Sequence, residues 1–113
     1  MHTQDAAANL ALLGWISTGL LLLVAVLCIA AARGAIAPNS FVGLRLPALT
    51  RDEETWRAGH AAGQMPAIVA FTIALVFSFL GLMSSVAYWG AIAAFAGGLT
   101  WIVIRATRAA NAA

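Results

Sequence analysis

Three runs of the chain contain no Asp, Glu, Lys, Arg or His: Leu10 to Ala32 (23 residues), Met65 to Met83 (19) and Val86 to Ile104 (19). A helix needs about 20 mostly apolar residues to cross a hydrocarbon core about 30 Å thick. Backbone inside lipid must satisfy its own hydrogen bonds, which leaves helix as the structure for segments this apolar. The sequence therefore predicts an all-α membrane protein with three transmembrane helices, a single domain over residues 1–113 with spans at about 10–32, 65–83 and 86–104. Only Ser84 and Ser85 separate the second and third spans, so those two form an antiparallel pair. Composition agrees, with 63% hydrophobic and 9% charged residues against about 45–50% and about 25% in soluble domains. So little polar surface cannot cover a globule in water.

The first run has a competing reading as a cleaved signal peptide, because Ala30-Ala31-Ala32 resembles a small-residue cleavage site. The residues before Leu10 carry Asp5 and no Lys or Arg, and the apolar core exceeds the 7–15 residues usual in such signals. A retained span is the expectation. The lone Cys28 lies inside this run and has no partner for an internal disulfide.

Six arginines and no lysine supply the positive charge. Arg33, Arg45, Arg51 and Arg57 lie between the first two spans, and Arg105 and Arg108 follow the third. An odd number of crossings puts all six on one side. The positive-inside rule then places the N-terminus outside and the long loop and C-terminus in the cytoplasm. Six dispersed arginines do not make the dense basic stripe that nucleic acid requires, so the bilayer is the first expected partner.

Gly90, Ala94 and Gly98 recur every four residues in the third span, a small-residue stripe that admits close helix approach. It reads either as contact with another span of the same chain or as a homo-oligomer face. Trp15, Tyr88, Trp89 and Trp101 sit toward span ends, as interfacial aromatic belts do. Ser17, Thr18, Thr72, Ser78 and Thr100 are expected to bond back to their own helices.

Polar chemistry gathers in the first loop, residues 33–64, where the stretch 33–57 holds seven of the ten formal charges. Pro38-Asn39 reads as a turn closing the first span. Ser40 to Pro47 is apolar and interrupted by Gly43 and Pro47, which suits an irregular piece at the membrane surface. Arg45 stands alone among Val, Leu and Phe. It reads as a snorkelling cation or as a fixed partner for a carboxylate or phosphate. Thr50 with Glu53 matches a capping box, and Asp52, Glu53 and Glu54 suit a helix N-terminus. Glu53 and Arg57 add an i, i+4 pair. These features predict a short amphipathic cytoplasmic helix over about 51–62, ended by Gly63 and Pro66. Trp56 and His60 share one face of it. His2, near the opposite side of the membrane, cannot join them, and one histidine with one acid is too few ligands for zinc; no metal, cofactor or catalytic set is expected.

Pro38-Asn39, Gly43-Leu44-Arg45, Pro47, Leu49, Trp56-x-x-x-His60 and Gly63 together resemble the signature of the SdpI family of bacterial membrane proteins. Leu46 stands where that signature often has Thr, and this chain has one three-span unit where the best-known members are about twice as long. The resemblance implies a role through protein contact, such as immunity to a secreted toxic peptide or sequestration of a cytoplasmic repressor. It makes Asn39, Gly43, Arg45, Pro47, Trp56 and His60 the candidate binding residues.

The expected function is thus a non-enzymatic membrane interaction protein whose loop docks a cytoplasmic or membrane protein or a lipid headgroup, in an immunity or signalling role. An oligomeric small transporter or efflux subunit is the alternative, weakened because coupled carriers usually keep an ionisable residue inside the membrane. A lipid enzyme with His60 as base and Asp52 or Glu53 orienting it would need contact across seven or eight residues of straight helix.

Overall fold

The computed structural model describes residues 3–39 and 42–113; His2, Ser40 and Phe41 lie outside the described residues. Three helices, α1 (Thr3–Ala32), α2 (Glu53–Gly81) and α3 (Tyr88–Ala112), follow one another, with a single 3-10 turn at Ser85–Ala87 before the last. They form an up-down-up bundle about 50 Å long and about 20 Å across, in which α2 packs against both neighbours and α1 meets α3 less extensively. Each helix is long and apolar enough to cross a membrane, so this is a multi-pass membrane protein.

The side chains sort in the manner of lipid-embedded helices. Leu12, Leu23, Val26, Val76, Phe79 and Trp89 face outward, whereas the interior is built from Ala25, Ala67, Ala70, Ala74, Ala91 and Ala106 around Leu21 and Ile102. Lipid tails are as apolar as leucine, so burying leucine gains little there. Small residues instead let backbones approach and gain dispersion contacts. Gly98 sits against Ala70 of α2, where an added Cβ would come within 2.5 Å of the alanine methyl. Ala94 packs on the cluster of Leu21, Ala70, Ala74 and Ala91, and Gly90 lies against the Phe77 ring. Part of the small-residue stripe is thus spent within the chain.

Tyr88 departs from the expected belt. It is buried, and its ring covers Gly14 and Gly81 at the α1–α2–α3 corner. Trp15 meets Phe79 edge-on with ring centres 5.3 Å apart. Thr18, Thr72 and Thr100 bond back to carbonyls four residues earlier. Ser78 instead crosses to α1, with its hydroxyl 2.9 Å from that of Thr18 and 3.3 Å from the Gly14 carbonyl oxygen. Ser78→Ala is expected to weaken the α1–α2 contact by about 0.6 kcal/mol, the mean for such bonds in membranes, measured by unfolding in mixed micelles.

The separate loop helix is not found. Its residues are the first turns of α2, which runs unbroken through Gly63 and Pro66. Gly63 serves packing, since a Cβ there would meet Cys28 Sγ of α1 at 3.1 Å. Pro66 removes one backbone N–H, a loss that membrane helices tolerate. At 1.5 Å per residue α2 is about 43 Å long, more than the hydrocarbon core requires. Its charged N-terminal part, residues 53–64, therefore extends beyond the uncharged run that begins at Met65.

Candidate functional site

The loop at residues 33–52 begins where α1 stops. Gly34 adopts φ +82°, its N–H donates to Ala31 O (3.1 Å), and Ala35 N–H reaches Ala30 O (2.9 Å). These two bonds form a Schellman motif, whose left-handed position favours glycine. The chain then folds over the projecting turns of α2, where Trp56 and His60 are both fully buried.

Those two side chains hold the loop at two points. The Trp56 indole N–H donates to Ile36 O at 2.9 Å, and Leu44 N–H donates to His60 Nε2 at 2.9 Å. A backbone amide only donates, so Nε2 must carry the lone pair. The ring proton is then on Nδ1, which lies 2.7 Å from Trp56 O and donates to it. This tautomer satisfies every polar atom of both rings, which sit 4.4 Å apart centre to centre. Gly43 passes over the pair with φ +102°. A Cβ at that position would lie 2.8 Å from the indole and 3.1 Å from His60 Nε2.

His60 lies in the charged N-terminal part of α2, before the uncharged run that begins at Met65. Burial pushes its pKa below the ordinary 6.5, with the Trp56 carbonyl pulling the other way. A proton on Nε2 would also set two N–H groups against each other and break the Leu44 bond. The neutral ring's contribution is therefore fully present above pH 6.5 and is lost as pH falls below it through the lowered folded-state value. Thermal stability should decline over that interval in the wild type and stay flat in His60→Gln.

A second anchor lies 5 residues beyond Leu44. Residues 47–50 turn back on themselves, with Leu49 N–H donating to Leu46 O (2.9 Å). This drives the Leu49 side chain into a fully buried seat with Ala106 and Ala110 of α3, over Gly59. Arg51 clamps the same corner by donating to Ala48 O (3.1 Å), Ala110 O (3.0 Å) and Asn111 Oδ1 (3.2 Å).

The helix cap falls two residues later than expected. Asp52 is the N-cap, its Oδ1 accepting from Thr55 N–H at 2.8 Å while Thr55 Oγ1 accepts from Asp52 N–H at 3.2 Å. Thr50 instead donates its hydroxyl to Pro47 O at 3.3 Å, because the preceding turn holds it away from the helix start. The Thr55 amide holds the Asp52 carboxyl below its ordinary 3.8, so the cap persists until pH falls through that lowered value. Glu53 pairs with Arg57 at 3.2 Å, both half-exposed or more, an arrangement that contributes little.

The model of the SdpI/YfhL protein family matches residues 35–106, the loop together with α2 and most of α3. The chain belongs to this family. No curated protein and no solved structure matches the chain.

In this SdpI/YfhL member the expected site residues divide into two groups. Trp56, His60 and Gly43 form the buried floor. Asn39, Arg45 and Pro47 lie on the outer rim, with Arg45 and Pro47 exposed. Asn39 shapes the rim by accepting from Val42 N–H at 2.7 Å and donating to Ala37 O at 2.8 Å. Arg45 Nη1 donates to the Asn39 carbonyl and has no carboxylate partner among the described residues. No three His, Cys, Asp or Glu side chains among the described residues gather as a metal site.

Sequence reasoning missed Gly34, Ile36, Leu44, Arg51 and Gly59 as organisers of this SdpI/YfhL loop. The Arg33-Gly34 step after an alanine run was a readable C-cap signal. Ile36 and Leu44 act through backbone atoms, which no side-chain pattern announces.

Proposed function

We propose that this SdpI/YfhL member is a non-enzymatic interaction protein of a bacterial plasma membrane whose loop at residues 33–52 docks a cytoplasmic protein partner. The observation that carries the reading is a loop fixed from beneath by fully buried Trp56, His60 and Leu49, which presents Arg45 outward. Arg45 is steered by the Asn39 carbonyl, and among the described residues most of its planar donor fork stays free for a carboxylate. Holding the loop in advance removes ordering cost from binding. A role in immunity or signalling is in keeping with this contact-based mode.

Catalysis is not part of the proposal, because the groups a reaction would use are committed elsewhere. Both His60 nitrogens are occupied and the Asp52 carboxylate caps α2. Coupled transport has no Asp, Glu, Lys, Arg or His to use in the runs 10–32, 65–83 and 86–104.

The arginines set the proposed orientation, N-terminus outside and loop with C-terminus in the cytoplasm. A photoreactive residue at Pro47, on the rim beside Arg45, should capture a defined protein in the native host. Arg45→Glu should abolish that capture while leaving membrane insertion and thermal stability as in the wild type. Undiminished capture by Arg45→Glu would refute the reading.

A further inference from the structure

Between α2 and α3 a lateral groove of about 430 Å³ opens on the lipid-facing surface, within the range of built ligand clefts. Its walls are apolar, with Ile73 and Phe77 on one side and Gly90, Ala94, Gly97 and Trp101 on the other. Gly97 has nothing within 4 Å of where a Cβ would stand, so this depression is not filled by the chain itself. Arg105 and Arg108 follow Trp101 at i+4 and i+7, which at 3.6 residues per turn keeps them on the groove face of α3. Both are exposed, and neither has a carboxylate partner among the described residues.

We infer that the groove is a binding site for an anionic phospholipid, with an acyl chain along the small residues of α3 and the phosphate at Arg105 and Arg108. Basic pockets at the ends of transmembrane helices hold anionic headgroups in this way. The charges decide against a second copy of the chain as occupant. Two copies paired symmetrically through this face in one membrane would bring four arginines together at the same end, where each copy already carries six arginines against only three acids, Asp52, Glu53 and Glu54. The inference is independent of what the loop docks.

The test uses the full chain in bilayers carrying tail-spin-labelled phosphatidylglycerol or phosphatidylcholine. The wild type should immobilise phosphatidylglycerol with a preference on the order of tenfold. Arg105→Gln with Arg108→Gln should reduce the preference to near one. Gly97→Leu, which meets no packed neighbour, should expel the tail of either lipid while the protein stays folded. Equal immobilisation of both lipids by the wild type would overturn the assignment, as would an unchanged signal in Gly97→Leu. A wild-type dimer that Gly97→Leu dissociates would give the groove to a second copy and overturn it equally.

Discussion

Trp56→Ala is expected to destabilise the loop by about 3–5 kcal/mol, the range for deleting a fully buried large aromatic. The indole is 0% exposed, so its removal leaves a cavity under Gly43. It also strands the Ile36 carbonyl, which otherwise accepts from the indole N–H, and removes the ring that flanks His60. The spans themselves should persist, because Leu21 with Ala70, Ala74 and Ala91, and Ala25 with Ala67 and Ile102, pack farther along the bundle. The expected signature is unchanged helicity in micelles together with rapid tryptic cleavage after Arg33 and Arg45. Trp56→Phe separates the two contributions. It keeps most of the apolar volume and should lose about 1–2 kcal/mol, the cost of leaving a partly buried carbonyl unpaired.

Leu49→Ala is expected to cost about 2–5 kcal/mol, since the leucine is 0% exposed and fills the corner between α2 and α3. Gly59→Ala attacks the same seat from the opposite side. Its new methyl would fall within 2.8 Å of Leu49 Cδ1, an overpacking worth about 1–3 kcal/mol. The two changes should be strongly non-additive, because Leu49→Ala removes the atoms that the Gly59→Ala methyl would strike. A double-mutant cycle by chemical denaturation measures this, with a coupling above about 0.5 kcal/mol expected for residues in contact. Additive effects would mean that Leu49 does not rest on Gly59.

The spans were the most legible part of the fold. Uncharged runs as long as Leu10 to Ala32 leave the backbone no alternative in lipid, and a long helix runs through most of each. The start of α2 was harder to read. Thr50-x-x-Glu53 and Asp52-x-x-Thr55 are overlapping caps, and the turn at 47–50 decides between them through Leu49, a contact 57 residues away from Ala106 in sequence. Gly63 and Pro66 read locally as a break, yet Gly63 is a place for Cys28 and α2 continues. At the site, Trp56 and His60 were visible as a pair on one face. Their partners were not, because Ile36 O and Leu44 N–H are backbone atoms brought over α2 by the two glycines at positive φ, Gly34 and Gly43.

Amide hydrogen exchange at Leu44, followed in the full-length protein in bilayers at neutral pH, tests the pre-ordered loop most directly. Strong protection in the wild type, lost in His60→Ala while the amides of residues 67–80 remain protected, is the predicted result. Exchange of the wild-type Leu44 amide at the rate of an unstructured chain would contradict it.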